Sequence, residues 1–387
     1  MKIEMPNRVK EIISILNQNG YSAYIVGGCV RDSLLGIEPH DWDITTNATP
    51  NNMKHIGKFL ENITIIPTGE EFGTMTWMFD DEDDKYEVTT YRGENGYKDC
   101  RHPTEITFED SLEKDLSRRD FTINSMAYND DVGLVDLYGG RFDLIEKKQL
   151  RTVGNADKRF TEDSLRILRG IRFAIKYNLQ VESKTQDAMI VDLPLIQNIS
   201  KERIKEELVK ILSYKVPYEF RHMIAYIFDV SSDNVDCIEE DMDYKKKIAI
   251  ILNSKQELYQ VEEWLRQNKF SNKETKTILN LLKLYRFRQA GYSDYDIRCM
   301  IKQYPLDDIK LYFEDDDGMI YRINKNAKQP CHISDLKING QDLIEIGIKG
   351  KQIGEMLEFV MDYVLEYPEE NNKDELLKLA KKYKKEK

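Results

Sequence analysis

The feature that most constrains the fold is a change in hydrophobic pattern near residue 145. Before it, short runs with strand character alternate with helical stretches and glycine turns. After it, strand signals fade and apolar residues recur at three- and four-residue spacing, as in Leu165, Leu168 and Ile171. The sequence therefore predicts the α+β class, with a mixed head over residues 1–145 and an all-helical remainder. Strands are predicted at residues 21–26, 41–45, 74–79, 86–90 and 134–138.

The overall composition limits the class of protein to which this chain can belong. A chain of 387 residues with 41% hydrophobic content can build two or three domains with real cores. No stretch approaches the roughly 20 apolar residues of a membrane span, and the charged first ten residues lack the apolar segment of a signal peptide. The five cysteines are scattered and form no CxxC pair, which argues against a disulfide framework or a structural zinc site. We expect a soluble, cytoplasmic protein.

The charge distribution bears on possible partners. A net charge of −12 argues, taken alone, against a nucleic-acid-binding protein. Residues 146–210, however, carry 14 Lys and Arg against 10 Asp and Glu. Because screening confines electric fields to about 10 Å, a locally basic segment of an acidic protein can still contact RNA.

The first motif couples a glycine turn to a pair of acids. Gly27 and Gly28 follow the first predicted strand, Arg31 lies in the next helix, and Asp41 and Asp43 fall on the second predicted strand. Carboxylates at i and i+2 of a strand face the same way and can hold Mg²⁺, while the glycine turn and the arginine suit phosphate. An isolated acid pair is common on surfaces, so the combination carries the prediction.

The second motif is a pair of adjacent arginines. Arg118 and Arg119 precede Asp120 and a predicted helix, and they could bind a triphosphate and a ribose. The alternative is an ordinary helix start with surface arginines. Taken alone, the motif favours that alternative.

The third motif joins an acid to a row of arginines. Asp163 and Arg166 are one helical turn apart, and Arg169 and Arg172 repeat the spacing. Arginine only donates hydrogen bonds and ionised aspartate only accepts them. A fixed Asp–Arg pair would match the pairing edges of cytosine and adenine and mismatch those of guanine and uracil. The alternative is an amphipathic helix with an intrahelical ion pair.

These motifs, in this order, resemble those of class II tRNA nucleotidyltransferases, the CCA-adding enzymes, which share them with bacterial poly(A) polymerases. Further similarity lies in residues 200–212, 339–343 and 353–354, so that the resemblance covers nearly the whole chain. It implies a polymerase-β-like palm followed by a helical neck, body and tail. The corresponding domains are residues 1–145, 146–213 and 214–387. The neck would carry the base-reading residues, and the body and tail would bind tRNA.

The resemblance also implies roles for individual residues. Asp41 and Asp43 would hold two Mg²⁺ ions and carry the catalysis, with Glu87 as a possible third carboxylate. Asp163 and Arg166 would read the incoming base in place of a template. The remaining nucleotide contacts would come from Gly28, Arg31, Arg119, Arg169 and Arg172. The substrates would be CTP, ATP and the acceptor/T minihelix of tRNA, recognised mainly by its phosphates and shape.

The segment 91–103, with Arg92 and Arg101, resembles the flexible loop of enzymes that add the terminal A. The predicted reaction is therefore template-independent addition of C, C and A to the 3′ end of tRNA, with release of pyrophosphate. An enzyme that adds only A, or a poly(A) polymerase, remains an alternative. A non-catalytic RNA-binding module is disfavoured by the intact motifs. A small-molecule nucleotidyltransferase is disfavoured by the long helical C-terminal half.

Overall fold

A mixed sheet forms the centre of the N-terminal part of the molecule. The computed structural model describes residues 2–81, 84–97, 103–239, 241–289 and 291–386. These fall into two compact units, residues 1–223 and 224–387. The strands are β1 Ala23–Val26, β2 Ile44–Thr46, β3 Ile63–Gly69, β4 Thr74–Phe79, β5 Lys85–Thr90, β6 Arg92–Tyr97, β7 Pro103–Phe108, β8 Ala127–Asn129, β9 Gly133–Val135, β10 Gln149–Leu150 and β11 Gln180–Val181.

Seven of these strands form one sheet in the order β3-β4-β5-β2-β1-β8-β9. The β2–β5 pair is parallel and the other neighbours are antiparallel. Strands β6 and β7 form a separate antiparallel hairpin. The central strands bury Ile25, Trp77 and Val88, which are fully shielded from solvent. This burial fixes which face of each strand turns inward, and with it the register of the sheet.

Helices surround the sheet and make up almost all of the chain that follows it. They are α1 Asn7–Gln18, α2 Gly28–Leu34, α3 Pro50–Gly57, α4 Leu112–Ser117, α5 Gly140–Phe142, α6 Ala156–Glu162, α7 Leu165–Lys176, α8 Ser183–Asp192, α9 Lys201–Leu212, α10 Tyr218–Phe228, α11 Asp233–Asp236, α12 Tyr244–Ile251, α13 Leu258–Gln267, α14 Asn272–Arg286, α15 Asp294–Gln303, α16 Leu306–Tyr312, α17 Asp317–Asn326, α18 Gly340–Glu345, α19 Gln352–Glu366 and α20 Lys373–Glu386.

Local sequence explains several of these helices. In α1 the buried residues Val9, Ile12, Ile13 and Leu16 recur at helical spacing and form one apolar face. In the second unit, α14 begins with a reciprocal capping box in which Ser271 caps the backbone and the side chain three residues later caps Ser271. The apolar faces of the last helices meet in a core that includes Ile297, Ile323, Leu343, Val360 and Leu376.

The structure confirms the mixed head followed by helices and corrects details. The second strand begins at Ile44 rather than at residue 41, and the last strand of the sheet ends at Val135. The remainder is not wholly helical, because β10 and β11 form a short parallel pair. The three-domain division stays a prediction. Within the described ranges, no helix is long and apolar enough to cross a membrane.

Gly140 marks a close approach between two parts of the backbone. A Cβ atom added there would lie 2.1 Å from the carbonyl oxygen of Thr122. The Gly140 amide donates to the Asp136 carboxylate at 2.7 Å, and this hydrogen bond fixes the start of α5 relative to Asp136. Only a residue without a side chain therefore fits at this position.

Gly140→Ala should destabilise the protein by about 3 kcal/mol, because backbone atoms must move to admit the methyl group. Thermal unfolding followed by circular dichroism would measure the change. Gly354→Ala is the matched control, since an added Cβ there meets no described atom within 4 Å. That variant should unfold at the wild-type temperature or slightly above it, and equal losses in both variants would contradict the packing argument.

Candidate active site

The acid pair lies at the entrance to the central strand β2. Asp41 and Asp43 come immediately before Ile44, and both side chains are exposed. The Val26 amide donates to the Asp43 carbonyl oxygen at 3.0 Å, which extends the β1–β2 pairing as far as Asp43. The prediction that both acids lie on the strand is therefore wrong in its boundary. The sheet nevertheless holds the backbone of Asp43 in place.

Negative charge accumulates around Asp43. Its pKa is raised, first by loss of solvent around the carboxylate, although part of the side chain remains accessible. Glu87 and Asp41 raise it further, while the positive charge of Arg119 lowers it. Glu87 lies on β5, beside Val88, which pairs with Ile44 of β2. The two neighbouring carboxylates disfavour ionisation of Asp43, and a hard divalent cation would relieve that repulsion.

The donor chemistry of this cluster fits a divalent metal ion. Carboxylate oxygens are the ligands that such ions prefer, and the exposure of Asp41 and Asp43 leaves room for further ligands from a substrate or water. Among the described residues, no group of three or more His, Cys, Asp or Glu already stands close enough to hold a metal. The candidate metal site is therefore the acid pair, with Glu87 as a neighbouring charge.

The glycine turn brings an arginine close to the acids. Gly27 has a φ of +77°, and a Cβ atom there would lie 3.0 Å from Nη1 of Arg119. Glycine thus serves both the left-handed backbone and the close approach of the guanidinium. The Gly27 amide donates to the carbonyl oxygen of Met126 at 3.0 Å, which fixes the turn on the sheet. Gly28 follows and begins α2.

Arg31 is buried, and its neighbours hold most of its guanidinium in place. Its Nε donates to Asp32 at 2.8 Å and its Nη1 donates to the side-chain oxygen of Asn124. The guanidinium also stacks on the ring of Tyr177, 4.5 Å from the ring centroid. Its Nη2 faces Gly28, where an added Cβ would lie 3.6 Å away. Phosphate contact by Arg31 stays a prediction, and Nη2 is the atom directed towards the turn.

A buried carboxylate fixes the arginine pair. Asp115 accepts hydrogen bonds from Arg118 at 2.7 Å and from Arg119 at 3.1 Å. Burial opposes ionisation of Asp115, but the two guanidinium charges outweigh it and hold the pKa at about 2. The Nε of Arg119 is buried and has no acceptor among the described residues. An unpaired buried donor beside the acids suits an oxygen atom of a ligand.

A second buried carboxylate, that of Asp120, connects this motif to α7. Asp120 accepts hydrogen bonds from Arg169 at 2.7 Å and from the side chain of Asn124 at 3.0 Å. Burial raises the pKa of Asp120, yet the positive charge of Arg169 and these hydrogen bonds bring it down to about 2. Arg172 forms the analogous contact with Glu207 of α9, at 2.6 Å. Arg169 and Arg172 are therefore both held by neighbouring elements.

The expected pair of Asp163 and Arg166 does not form. Helix α6 ends at Glu162 and α7 begins at Leu165, so Asp163 lies in the break between them. Its carboxylate accepts hydrogen bonds from the Leu165 amide at 3.1 Å and from Arg203 at 3.3 Å. The prediction of an intrahelical ion pair between them is therefore wrong. The base-reading role of both residues stays a prediction.

Arg166 is instead bound to the last residue of α6. Its Nη1 donates to Glu162 at 2.9 Å, and its Nη2 donates to the carbonyl oxygen of Arg118 at 3.1 Å. The second contact places the third motif directly beside the second. Sequence reasoning missed the supporting residues Asp115, Arg159 and Glu207. For Asp115 a signal existed, because it lies three and four residues before the two arginines.

Part of the segment expected to form a flexible loop is described. Arg92 begins β6 and pairs with Phe108 of β7. Its Nη1 donates to the carbonyl oxygen of Phe72 at 2.9 Å, which fastens the base of the hairpin to the sheet domain. Arg101 lies outside the described residues, and the role of the loop stays a prediction.

The comparisons with known proteins agree with this architecture. The model of the "Poly A polymerase head domain" matches residues 23–151, which contain the sheet, the acid pair and the paired arginines. Residues 178–226 match the family described as "Probable RNA and SrmB- binding site of polymerase A". A model for the second domain of tRNA nucleotidyltransferases matches residues 243–380. Fold and site thus define a nucleotidyltransferase with a polymerase-β-like head.

Individual relatives and solved structures identify the family within this class. The chain is 33% identical to the CCA-adding enzyme of Enterococcus faecalis, over 98% of this chain and 97% of the relative. It is 32% identical to that of Staphylococcus haemolyticus, over 98% and 99% of the two chains. The CCA-adding enzyme of Bacillus stearothermophilus in complex with CTP matches with a TM-score of 0.74 and 25% identity, over 99% and 100%. This chain therefore belongs to the family of CCA-adding enzymes, which are tRNA nucleotidyltransferases that use a divalent metal ion.

The low pKa of Asp120 predicts an acid-sensitive contribution to stability. Its folded pKa of about 2 lies below the unfolded value of about 3.9. Ionised Asp120 therefore contributes about 2 kcal/mol to the free energy of unfolding. This contribution is complete above about pH 4 and is lost as the pH falls towards 2. Asp120→Asn should be less stable near neutral pH and should lose less stability on acidification.

Urea unfolding at about pH 6, 4 and 3 would measure this difference. Asp131→Asn is the control, since Asp131 is an exposed acid in the turn between β8 and β9. That variant should follow the wild-type profile. An Asp120→Asn profile parallel to wild type throughout this range would contradict the assigned role of the ion pair.

Proposed function

We propose that this chain adds C, C and A in turn to the 3′ end of tRNA, using CTP and ATP with Mg²⁺ and releasing pyrophosphate. The observation that carries the proposal is the meeting of the exposed acids Asp41 and Asp43 with Arg119 at the glycine turn. This site lies in a chain that matches CCA-adding enzymes over nearly its whole length. The tRNA substrate favours a cytoplasmic location.

In this proposal the acid cluster holds the metal ions. Asp41 and Asp43 would be ligands, and Glu87 would add negative charge or a further ligand. When bound, Mg²⁺ promotes attack by the RNA 3′-hydroxyl and stabilises the charge that develops as pyrophosphate leaves. The β1–β2 pairing fixes the backbone of Asp43, so the acids need little rearrangement to accept an ion.

The glycine turn and the arginines would bind the triphosphate. Arg119 stands against Gly27 and has a buried, unpaired Nε, so it can donate to a phosphate oxygen without losing its contact with Asp115. The backbone of Gly28 and the Nη2 of Arg31 would add donors from the other side of the turn. Fixed donors of this kind bind charge without first having to reorganise.

Asp163 and Arg166 would read the incoming base. An accepting aspartate and a donating arginine match cytosine and adenine, and they would leave like groups facing each other with guanine or uracil. Each mismatch would cost roughly 1–3 kcal/mol. The structure holds the two side chains through separate partners, Arg203 and Glu162. Arg169 and Arg172 would support this site through their own ion pairs.

The helical regions would bind the RNA. We propose residues 1–145 as the palm, residues 146–213 as the neck and residues 214–387 as the body and tail that contact the tRNA minihelix. The basic excess of the neck and the extended helical surface suit recognition of phosphates and shape rather than of sequence. The hairpin that begins at Arg92 would act as the loop needed for the terminal A.

A primer-extension assay with Mg²⁺ tests the proposal against its alternatives. The acceptors are tRNA lacking CCA, tRNA ending in CC and an unstructured oligonucleotide, each supplied with CTP, ATP or both. We expect addition of CCA to the first, of A to the second and a stop after the terminal A. Extension of only the CC-ending tRNA would indicate an A-adding enzyme, and a long tail on the oligonucleotide would indicate a poly(A) polymerase.

Asp41→Ala should reduce nucleotide addition by roughly a thousandfold or more, since loss of a metal ligand removes several kcal/mol of transition-state stabilisation. The fold should persist because the side chain is exposed. Single-turnover addition to tRNA ending in CC would measure the rate, with circular dichroism as the folding check. Asp84→Ala, at another exposed acid just before β5, should keep the wild-type rate. A wild-type rate for Asp41→Ala would refute the assignment.

A further inference from the structure

Arg159 connects its own helix, α6, to the end of α4 and to the segment before α6, although it belongs to none of the recognised motifs. From α6, its Nη2 donates to the carbonyl oxygen of Ser117 at 2.6 Å. Its Nε donates to the carbonyl oxygen of Val153 at 2.9 Å, and its Nη1 donates to Glu162 at 2.7 Å. Only 14% of the side chain is exposed, so solvent weakens these contacts little.

Arg166, seven residues further along the chain in α7, makes a parallel set of contacts. It donates to the same carboxylate, Glu162, and to the carbonyl oxygen of Arg118, the residue after Ser117. It also donates to the backbone carbonyl oxygen of Arg159 at 3.2 Å. Glu162 therefore binds two arginines, and these donate to the successive backbone carbonyl oxygens of Ser117 and Arg118. We call Arg159, Glu162 and Arg166 the arginine clamp.

The arginine clamp holds the C-terminal end of α4. That helix ends at Ser117, where backbone carbonyls lack partners within the helix and cations are favourable. Arg119 follows two residues later and is the side chain directed to the glycine turn. On its other side the clamp includes Arg166 and adjoins Asp163, the proposed base-reading residues. One cluster of side chains thus touches both halves of the proposed nucleotide site.

We infer that Arg159 is a positioning residue that couples base reading to triphosphate binding. The inference rests on the proposed function and deepens it. A base that contacts Asp163 and Arg166 sets the position of the clamp, and the clamp sets the end of α4 from which Arg119 extends. Arginine is required because its planar group donates in three directions at once, whereas lysine offers a single nitrogen atom.

Equilibrium binding of CTP, CMP and UTP to the full chain, with Mg²⁺ and without RNA, tests the coupling. Two ratios matter: CTP over CMP reports the triphosphate contacts, and CTP over UTP reports base reading. Arg119→Ala should reduce mainly the first ratio, and Asp163→Ala should reduce mainly the second. Arg159→Ala should reduce both ratios by about fivefold or more, although its side chain contacts neither group directly.

Arg151→Ala is the matched control. Arg151 also donates to a backbone carbonyl, that of Tyr138 at 2.7 Å, and to a carboxylate, that of Asp143 at 3.0 Å. It has no contact with α4 among those described. The variant therefore shows the effect of losing an arginine's hydrogen bonds without disturbing α4. This variant should keep both ratios even where its thermal stability falls. Arg159→Lys should give intermediate ratios and provides a second variant if Arg159→Ala does not fold.

The outcomes separate this inference from the proposed function. If wild-type protein discriminates CTP from UTP and from CMP, but both Arg159 variants keep the two ratios, the positioning role is overturned while the function stands. Loss of only one ratio would overturn the coupling. A wild-type protein that shows no preference for CTP in either comparison would refute the proposed nucleotide site, and the coupling with it.

Discussion

The ion pair between the buried carboxylate of Asp120 and the half-buried Arg169 is the contact on which the candidate site depends. Asp120 also accepts a hydrogen bond from Asn124, which in turn accepts one from Arg31 of α2. One carboxylate thus joins the helix after the glycine turn, the paired-arginine motif and α7. Burying such charges is costly unless each is paired and hydrogen-bonded, and removing one partner leaves the other stranded. The network therefore has few tolerated alternatives, which gives the site a defined geometry.

The same arrangement recurs around the remaining arginines. Asp115 holds Arg118 and Arg119, and Glu162 holds Arg159 and Arg166. Each buried carboxylate fixes the direction of a guanidinium before any substrate arrives. A flexible arginine would lose conformational freedom on binding a nucleotide, whereas an arginine already held loses little. Discrimination between bases by protein side chains, without a template, requires this kind of advance ordering.

The sequence predicted the fold class and several elements closely, and its failures have physical causes. Strand β4 was expected at residues 74–79 and lies there, because a short run rich in apolar and β-branched residues is bounded by Gly73 and by acidic residues. Strand β8 was not predicted, because it spans only Ala127–Asn129 and is too short for the alternating pattern of a strand to be recognised. The break at Asp163 was missed because no glycine or proline marks it. Glu207 lies 35 positions from its partner Arg172 and Arg203 lies 40 positions from Asp163, beyond the reach of any local pattern.

The pairing of these arginines changes what the basic excess of residues 146–210 means. Counterions condense on the RNA and are released when cationic side chains neutralise its phosphates, and a guanidinium already paired with a carboxylate is less free to do so. The arginines of α6 and α7 therefore contribute little to the entropy that ion release supplies when a protein binds a polyanion. That contribution falls instead to solvated lysines such as Lys158, Lys184 and Lys201, which are exposed. Recognition of the nucleotide and attraction of RNA are thus assigned to different cationic residues.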